Sequence, residues 1–355
     1  MSVTVSGHEA DYAGIAMDTE IAAQPQVFER ILRDGLPAIE EVAAVVNARR
    51  PRFVLLTARG TSDNAAVYAK YLVEVLLGLP AGLTSPSTTT AYGARPDLRD
   101  VLVVSVSQSG GSPDIVSSTA IARECGAMTL AVTNNADSKL AQAAELHLDV
   151  LAGPEKALPA TKTYTAQLLT LYLLVQKLAG RSIEPARALP GLAVEMLEQT
   201  TDMTAVAARY RFADQLVVTG RGYSYATARE AALKIMETSY LSAHAFSGAD
   251  LLHGPLAMVD DESPVIAIAP DGVGGVALEP VIERLRERRC DLFVVGTPRH
   301  VAEGTLGFEL PGGVDEDLSP MLEILPLQRL AYEIAVTRGL DPDSPRALAK
   351  VTRTW

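Results

Sequence analysis

Cysteine is scarce: Cys125 and Cys290 are the only two among 355 residues, each inside a hydrophobic stretch with no Cys or His at metal-ligand spacing. Neither a disulfide nor a zinc site is expected. Positive charge is also in deficit, 31 Lys and Arg against 43 Asp and Glu, a net charge of -12. A general nucleic-acid surface needs clustered basic residues and is excluded on that ground, so any anionic ligand must be held by local chemistry. Long apolar runs are missing too. The longest, Leu168 to Val175, stops at Gln176 and Lys177, too short to cross a bilayer. The segment after Met1 lacks a basic start followed by an apolar core, so no secretory signal is expected and a cytoplasmic protein is.

What is present is a composition of 48% hydrophobic and 21% charged residues, in a chain long enough for two domains that each bury a core. Residues 1–46 read as a helical lead-in, with Val27, Ile31, Ile39 and Val42 at helical spacing and Pro25 and Pro37 as punctuation. Phe53 to Thr57 is a buried-strand run that ends in Ala58-Arg-Gly-Thr-Ser62 and passes into a helical pattern. Val101 to Val106 and Met128 to Thr133 are further strands, the first followed by Ser107-Gln-Ser-Gly-Gly-Ser112 and by Pro113, suited to a first helical turn. Strands alternating with helices imply parallel βαβ units. The organisation then recurs. Leu216 to Thr219 leads into Gly220-Arg-Gly-Tyr-Ser224 and a helix, with more strands at Pro264 to Ala269 and Leu292 to Val295. We therefore expect an α/β protein with domains at 47–180 and 198–340, a connection at 181–197 and a C-terminal segment at 341–355.

The segment Ser107 to Ser112 sets hydroxyls and glycines between a buried strand and a helix N-terminus. Unpaired amides and the positive end of the helix dipole face an anion there, glycines admit it, and Ser107, Ser109 and Ser112 can donate to it. Alone, the segment reads first as a serine-rich turn capping a helix. Thr61 and Ser62, in the corresponding turn of the preceding unit, could converge on the same crevice. Glu230, Lys234 and Glu237 follow at spacings of four and three, on one helix face; by spacing alone this is a solvated ion-pair ladder. Of the histidines, His8 lies in the leader, His147 in a strand-like stretch, and His244 and His300 have no special setting, whereas His253 opens a tight His-Gly-Pro segment.

Taken together, ARGTS, VSQSGGSPD, EKALPATKTY, GRGYSYATAREAALKIMETSYLSAHAFS, LLHGPLA and LAKVT give the chain a family resemblance. In order from about Phe53 to Thr352 it resembles the isomerase half of glucosamine-6-phosphate synthase and, more closely, the stand-alone SIS-type glucosamine-6-phosphate deaminases. The resemblance implies two tandem SIS domains, each a parallel sheet flanked by helices. It implies that Thr61, Ser62, Ser107, Gln108, Ser109, Ser112 and Ala160 bind the sugar phosphate. Glu237 matches the glutamate that moves a proton between C1 and C2, and Lys234 a lysine supporting it. His253 matches the histidine that opens the sugar ring from the neighbouring subunit, which implies a homodimer with shared sites. Lys350 matches a lysine on a tail folded over the sugar, able to form a Schiff base, whereas Lys162 matches a residue that positions its loop.

The departures narrow the expectation. The synthase begins with a glutaminase domain carrying an N-terminal cysteine nucleophile, and glutamine-dependent synthesis is not expected here, with no cysteine near Met1. Ala160 stands where the synthase has a sugar-contacting serine and agrees with the deaminases; Met236 replaces a common lysine and Asp250 a glutamate. The expected activity is deamination of glucosamine 6-phosphate to fructose 6-phosphate and ammonia, with no metal or organic cofactor. Two alternatives remain open: a dehydratase of N-acetylglucosamine 6-phosphate using the same base, and a non-catalytic sugar-phosphate sensor.

Overall fold

The computed structural model describes residues 14–199 and 203–348. Two five-stranded sheets organise it, and every strand pair is parallel. The first contains β1 (Phe53–Thr57), β2 (Ala81–Leu83), β3 (Val101–Ser107), β4 (Met128–Thr133) and β5 (Leu146–Asp149), in the order β2-β1-β3-β4-β5. The second contains β6 (Gln215–Gly220), β7 (Ser242–Ser247), β8 (Pro264–Ala269), β9 (Asp291–Gly296) and β10 (Leu306–Glu309), in the order β10-β9-β8-β6-β7. Read from the other edge, the second order is the same permutation as the first. The central strands β4 and β9 are buried at all six positions, as a parallel sheet covered on both faces requires. Apolar runs without alternation, such as Met-Thr-Leu-Ala-Val-Thr, follow from that double covering.

From Ile15 on, the lead-in is helical almost throughout, Ile15–Ala22, Gln24–Arg30 and Leu36–Arg49. Its two prolines sit in first turns, where a missing N–H costs nothing, and a π-helical turn at Ile31–Gly35 accommodates the approach to Pro37. Residues 181–197, expected as a connection, carry a 3-10 turn at Glu184–Ala188 and a helix at Leu189–Leu197 that packs on Gln24–Arg30 and on Pro320–Thr337.

Each half ends in a buried helix. Lys162–Leu178 is buried from Lys162 to Gln176 and lies against Thr61–Leu72, the helix that follows β1. Pro320–Thr337 lies in the same way against Ser224–Ser239, the helix that follows β6. Burying leucines such as Leu168, Leu171 and Leu327, at about 1.5–3 kcal/mol each, fixes these layers. The helices Thr61–Leu72 and Ser224–Ser239 also pack on each other, and one apolar core runs through both halves. Tyr68 and Tyr223 meet edge to face at 6.1 Å in that seam. This packing brings the second half's helix to the strand ends of the first sheet. Among the described residues no helix is long and apolar enough to cross a membrane.

Candidate active site

A cavity of about 200 Å³ opens at the C-terminal ends of β1 and β3, room for a small molecule and not for a polymer. Three helices start at its wall: Thr61–Leu72, Pro113–Glu124 and Lys162–Leu178. The first turns of Thr61–Leu72 and Pro113–Glu124 turn positive dipole ends towards this space, which favours an anion in a chain of net negative charge, whereas the start of Lys162–Leu178 is taken by Glu155, whose Oε1 accepts from Thr161 N at 2.9 Å and Thr163 N at 3.1 Å. Thr61, Ser62, Ser107, Gln108, Ser109, Ser112, Ala160, Lys234 and Glu237, nine residues singled out in the sequence, all line this cavity.

The hydroxyls are prepared as donors. Ser107 Oγ accepts from Gly110 N at 3.1 Å and Ser109 Oγ from Gly111 N at 3.2 Å, which leaves each O–H free for a ligand. Ser112, at the N-cap of Pro113–Glu124, makes no side-chain cap bond. The loop needs Gly110: its φ is +62°, and a Cβ there would stand 2.3 Å from Ser138 Oγ. Thr61 differs from expectation in detail, because its hydroxyl donates to Glu230 Oε1 at 3.0 Å.

The ladder of Glu230, Lys234 and Glu237 is not solvated, contrary to the reading from spacing alone. Glu230 and Lys234 are fully buried where Ser224–Ser239 meets Thr61–Leu72. Glu230 Oε2 accepts from Asn64 Nδ2 at 2.7 Å, and Lys234 Nζ lies 3.4 Å from Glu230 Oε1 and hydrogen-bonds Glu237 Oε2. Burial pushes the Glu230 carboxyl up to about 7 against the pull of Lys234. Burial opposes the charge on Lys234, but Glu237 and Glu230 outweigh it and its pKa is raised. Glu237 keeps 17% of its side chain exposed, and it is the carboxylate of the three that lines the cavity. The arrangement is a partly accessible carboxylate held by a buried ammonium, facing a hydroxyl cradle.

Other predicted residues lie elsewhere. His253 follows the short helix Gly248–Leu252, is exposed, and does not line the cavity. Lys350 falls outside the described residues, as does His8, although Leu348 reaches the cavity wall. Lys162 Nζ donates to Pro154 O at 2.6 Å, within the loop that leads to Ala160. Asp250 is bonded to Ser247. His300, read as having no special setting, is buried with Nδ1 2.9 Å from Ala269 O and Nε2 3.2 Å from Glu279 Oε1. His147 pairs with Thr133 and His244 with Ser242. Both cysteines are free, and among the described residues no group of three or more His, Cys, Asp or Glu is placed to hold a metal.

Sequence reasoning missed Arg59, Thr163 and Gln167 on the cavity wall. Arg59, at the mouth, has its guanidinium 2.9 Å from Asp114 Oδ2 and is half exposed. Its place in the Ala-Arg-Gly-Thr-Ser turn was the available signal, since a cation beside an anion cradle is a natural addition.

Residues 49–177 and 210–288, one segment in each half, match the SIS domain family. The glutamine–fructose-6-phosphate aminotransferase (isomerizing) of Methanothermobacter thermautotrophicus is 35% identical over 326 residues, 90% of this chain and 55% of that protein. That of Gloeobacter violaceus is 36% identical over 353 residues, 93% of this chain and 57% of that protein. The chain thus spans somewhat more than half the length of these relatives. Among solved structures, the C-terminal domain of glucosamine-fructose-6-phosphate aminotransferase from Francisella tularensis is 27% identical, with a TM-score of 0.84 over 96% of this chain and 100% of that one. A glucosamine-6-phosphate deaminase from Thermotoga maritima, 23% identical with a TM-score of 0.75 over 96% of this chain and 100% of that one, shares the fold. With both halves matched and the sheet order repeated, the chain belongs to the SIS domain family.

Proposed function

We propose that the chain is an enzyme of amino-sugar 6-phosphates, and that it deaminates glucosamine 6-phosphate to fructose 6-phosphate and ammonia. The observation that carries this reading is the shared cavity: Glu237, backed by Lys234, lines the same space as the hydroxyl cradle of Ser107, Ser109 and Ser112. The similarity to aminotransferases that are named for fructose 6-phosphate supports the ligand class.

In this mechanism the phosphate rests on the cradle and the N-termini of Thr61–Leu72 and Pro113–Glu124, with the sugar extending towards Glu237. Once the ring is open, the C1 aldehyde acidifies the C2 hydrogen. Glu237 takes that proton, giving an enolamine across C1 and C2, and returns it to C1. C1 becomes a hydroxymethyl group and the nitrogen lone pair closes an iminium at C2. Water adds there, ammonia leaves, and the ketone of fructose 6-phosphate results. The Lys234 ammonium holds the carboxylate in place and offsets its charge. On the family resemblance, ring opening is assigned to His253, supplied by a second copy of the chain in a homodimer, and Lys350 contributes an amine that reaches the sugar carbonyl.

Proton NMR in heavy water, with glucosamine 6-phosphate and with its N-acetyl counterpart, tests the reading. We expect C2 exchange, ketose and ammonia from the free amine. Loss of water from the acetylated sugar alone would make the enzyme a dehydratase, and binding with neither exchange nor turnover would make it a sensor.

A further inference from the structure

Gln167 and Thr163 are four residues apart on Lys162–Leu178, so their side chains share one face of that helix. Both line the cavity, and both are buried to at least nine-tenths, at 0% and 1% exposure. Gln167 donates from Nε2 to Ser62 Oγ at 3.0 Å, while its own Oε1 has no hydrogen-bond partner. Thr163 Oγ1 has none either. Among the described residues these are the two cavity-lining side chains that carry a buried, unpartnered polar atom. A buried polar atom left unpaired is costly and asks for an explanation.

The second half supplies the control. There Glu323, on the corresponding last helix, receives Ser224 Oγ at 2.8 Å and Thr227 Oγ1 at 2.7 Å, and neither of its oxygens is left over. A saturated contact between last helix and first turn is therefore within reach of this fold. In the first half it stays unsaturated in two side chains of the cavity wall. Ala160, beside them on the wall, offers no side-chain polar atom, so hydrogen bonding from this wall falls to Thr163 and Gln167.

We propose that Thr163 and Gln167 form a second polar wall that binds hydroxyl or amino substituents of the sugar, and that Gln167 also positions Ser62. The Gln167 oxygen takes an O–H or N–H from the ligand, and the Thr163 hydroxyl gives or takes one. Because the Gln167 amide occupies a lone pair of Ser62 Oγ, the Ser62 hydrogen is left to point at the ligand. Thr163 and Gln167 thus select a polyhydroxylated or amino sugar over a bare phosphate. This rests on the cavity being a sugar-phosphate site, as proposed above.

Titration calorimetry with glucosamine 6-phosphate and with inorganic phosphate separates the wall from the cradle. Thr163→Val should weaken the sugar phosphate by roughly tenfold to a hundredfold and leave inorganic phosphate unchanged. Thr163→Ser, which keeps the hydroxyl, should restore most of the loss, and Gln167→Met should weaken the sugar phosphate as Thr163→Val does. Far-UV circular dichroism checks that each variant is folded. An unchanged ratio of the two affinities in Thr163→Val overturns the proposal, and so does an equal loss for both ligands or a wild-type chain that binds the two alike. Sugar-selective binding without C2 exchange overturns the catalytic reading alone and leaves this wall in place.

Discussion

The two sheets share one strand permutation, yet the turns that leave equivalent strands have opposite fates. After β1 and β3 the turns Ala58–Ser62 and Ser107–Ser112 face an open cavity. After β6 and β8 the counterparts Gly220–Ser224 and Pro270–Gly275 are filled from within. Glu316 seats its carboxylate on the start of Val273–Glu287, accepting from Val273 N at 2.7 Å and Gly274 N at 2.8 Å. A Cβ at Gly274 would lie 2.6 Å from Glu316 Oε1, so glycine is what lets the carboxylate in. The difference teaches that the fold supplies the crevice twice and that a few side chains decide which copy remains open. In exchange, the second half contributes the Glu237 carboxylate, because Ser224–Ser239 crosses the seam to the first half's cavity.

The largest expected effect comes from breaking the open cradle. Ser107→Ala combined with Ser109→Ala should weaken phosphate-bearing ligands by roughly 1.5–3 kcal/mol for each lost charge-assisted bond, with the fold intact. Calorimetry of the parent chain with inorganic phosphate should give one site per chain, because Glu316 already occupies the second position. Two equal sites, or undiminished binding in the double variant, would break the comparison.

A smaller effect separates the two last helices. Burial raises the Glu323 carboxyl to about 7, against the opposing hydrogen bonds from Thr227 and Ser224, whereas an ordinary glutamate titrates near 4.5. The folded state therefore holds this proton more tightly than the unfolded one. Its contribution to stability is complete below the unfolded value and is lost as the pH rises through the folded one. Glu323→Gln puts a neutral amide where the first half has Gln167 and should remove that loss. Relative to the parent, it should gain up to about 3 kcal/mol between about pH 4 and about pH 8, read by urea unfolding. A pH-independent difference would remove Glu323 as the source.

Legibility followed the same asymmetry. The long central strands could be read directly, because double covering writes an apolar run into β3, β4, β8 and β9. The edge strands β2 and β7 could not. β2 is three residues of Ala-Gly-Leu and β7 is Ser-Ala-His-Ala-Phe-Ser, neither with an apolar run to mark it. The hydroxyl cradle was legible from its place between a strand and a helix start. Spacing alone makes a solvated face of Glu230 and Lys234, because it records which residues share a helix side and not what packs on it. Thr163 and Gln167 gave no signal, since a polar atom inside an apolar helix becomes informative only once a cavity is found beside it. Whether His253 meets any cavity is likewise a property of association that its own tripeptide does not encode.

Glu237→Gln tests the central claim that the first half binds while the second half moves the proton. The amide keeps the side chain's shape but cannot accept the C2 proton. Measured on one preparation, calorimetry should give near-parental affinity for glucosamine 6-phosphate, and proton NMR in heavy water should show C2 exchange and turnover falling together by roughly 10²–10⁴. Exchange at the parental rate in this variant would contradict the account and move the base to another residue of the cavity.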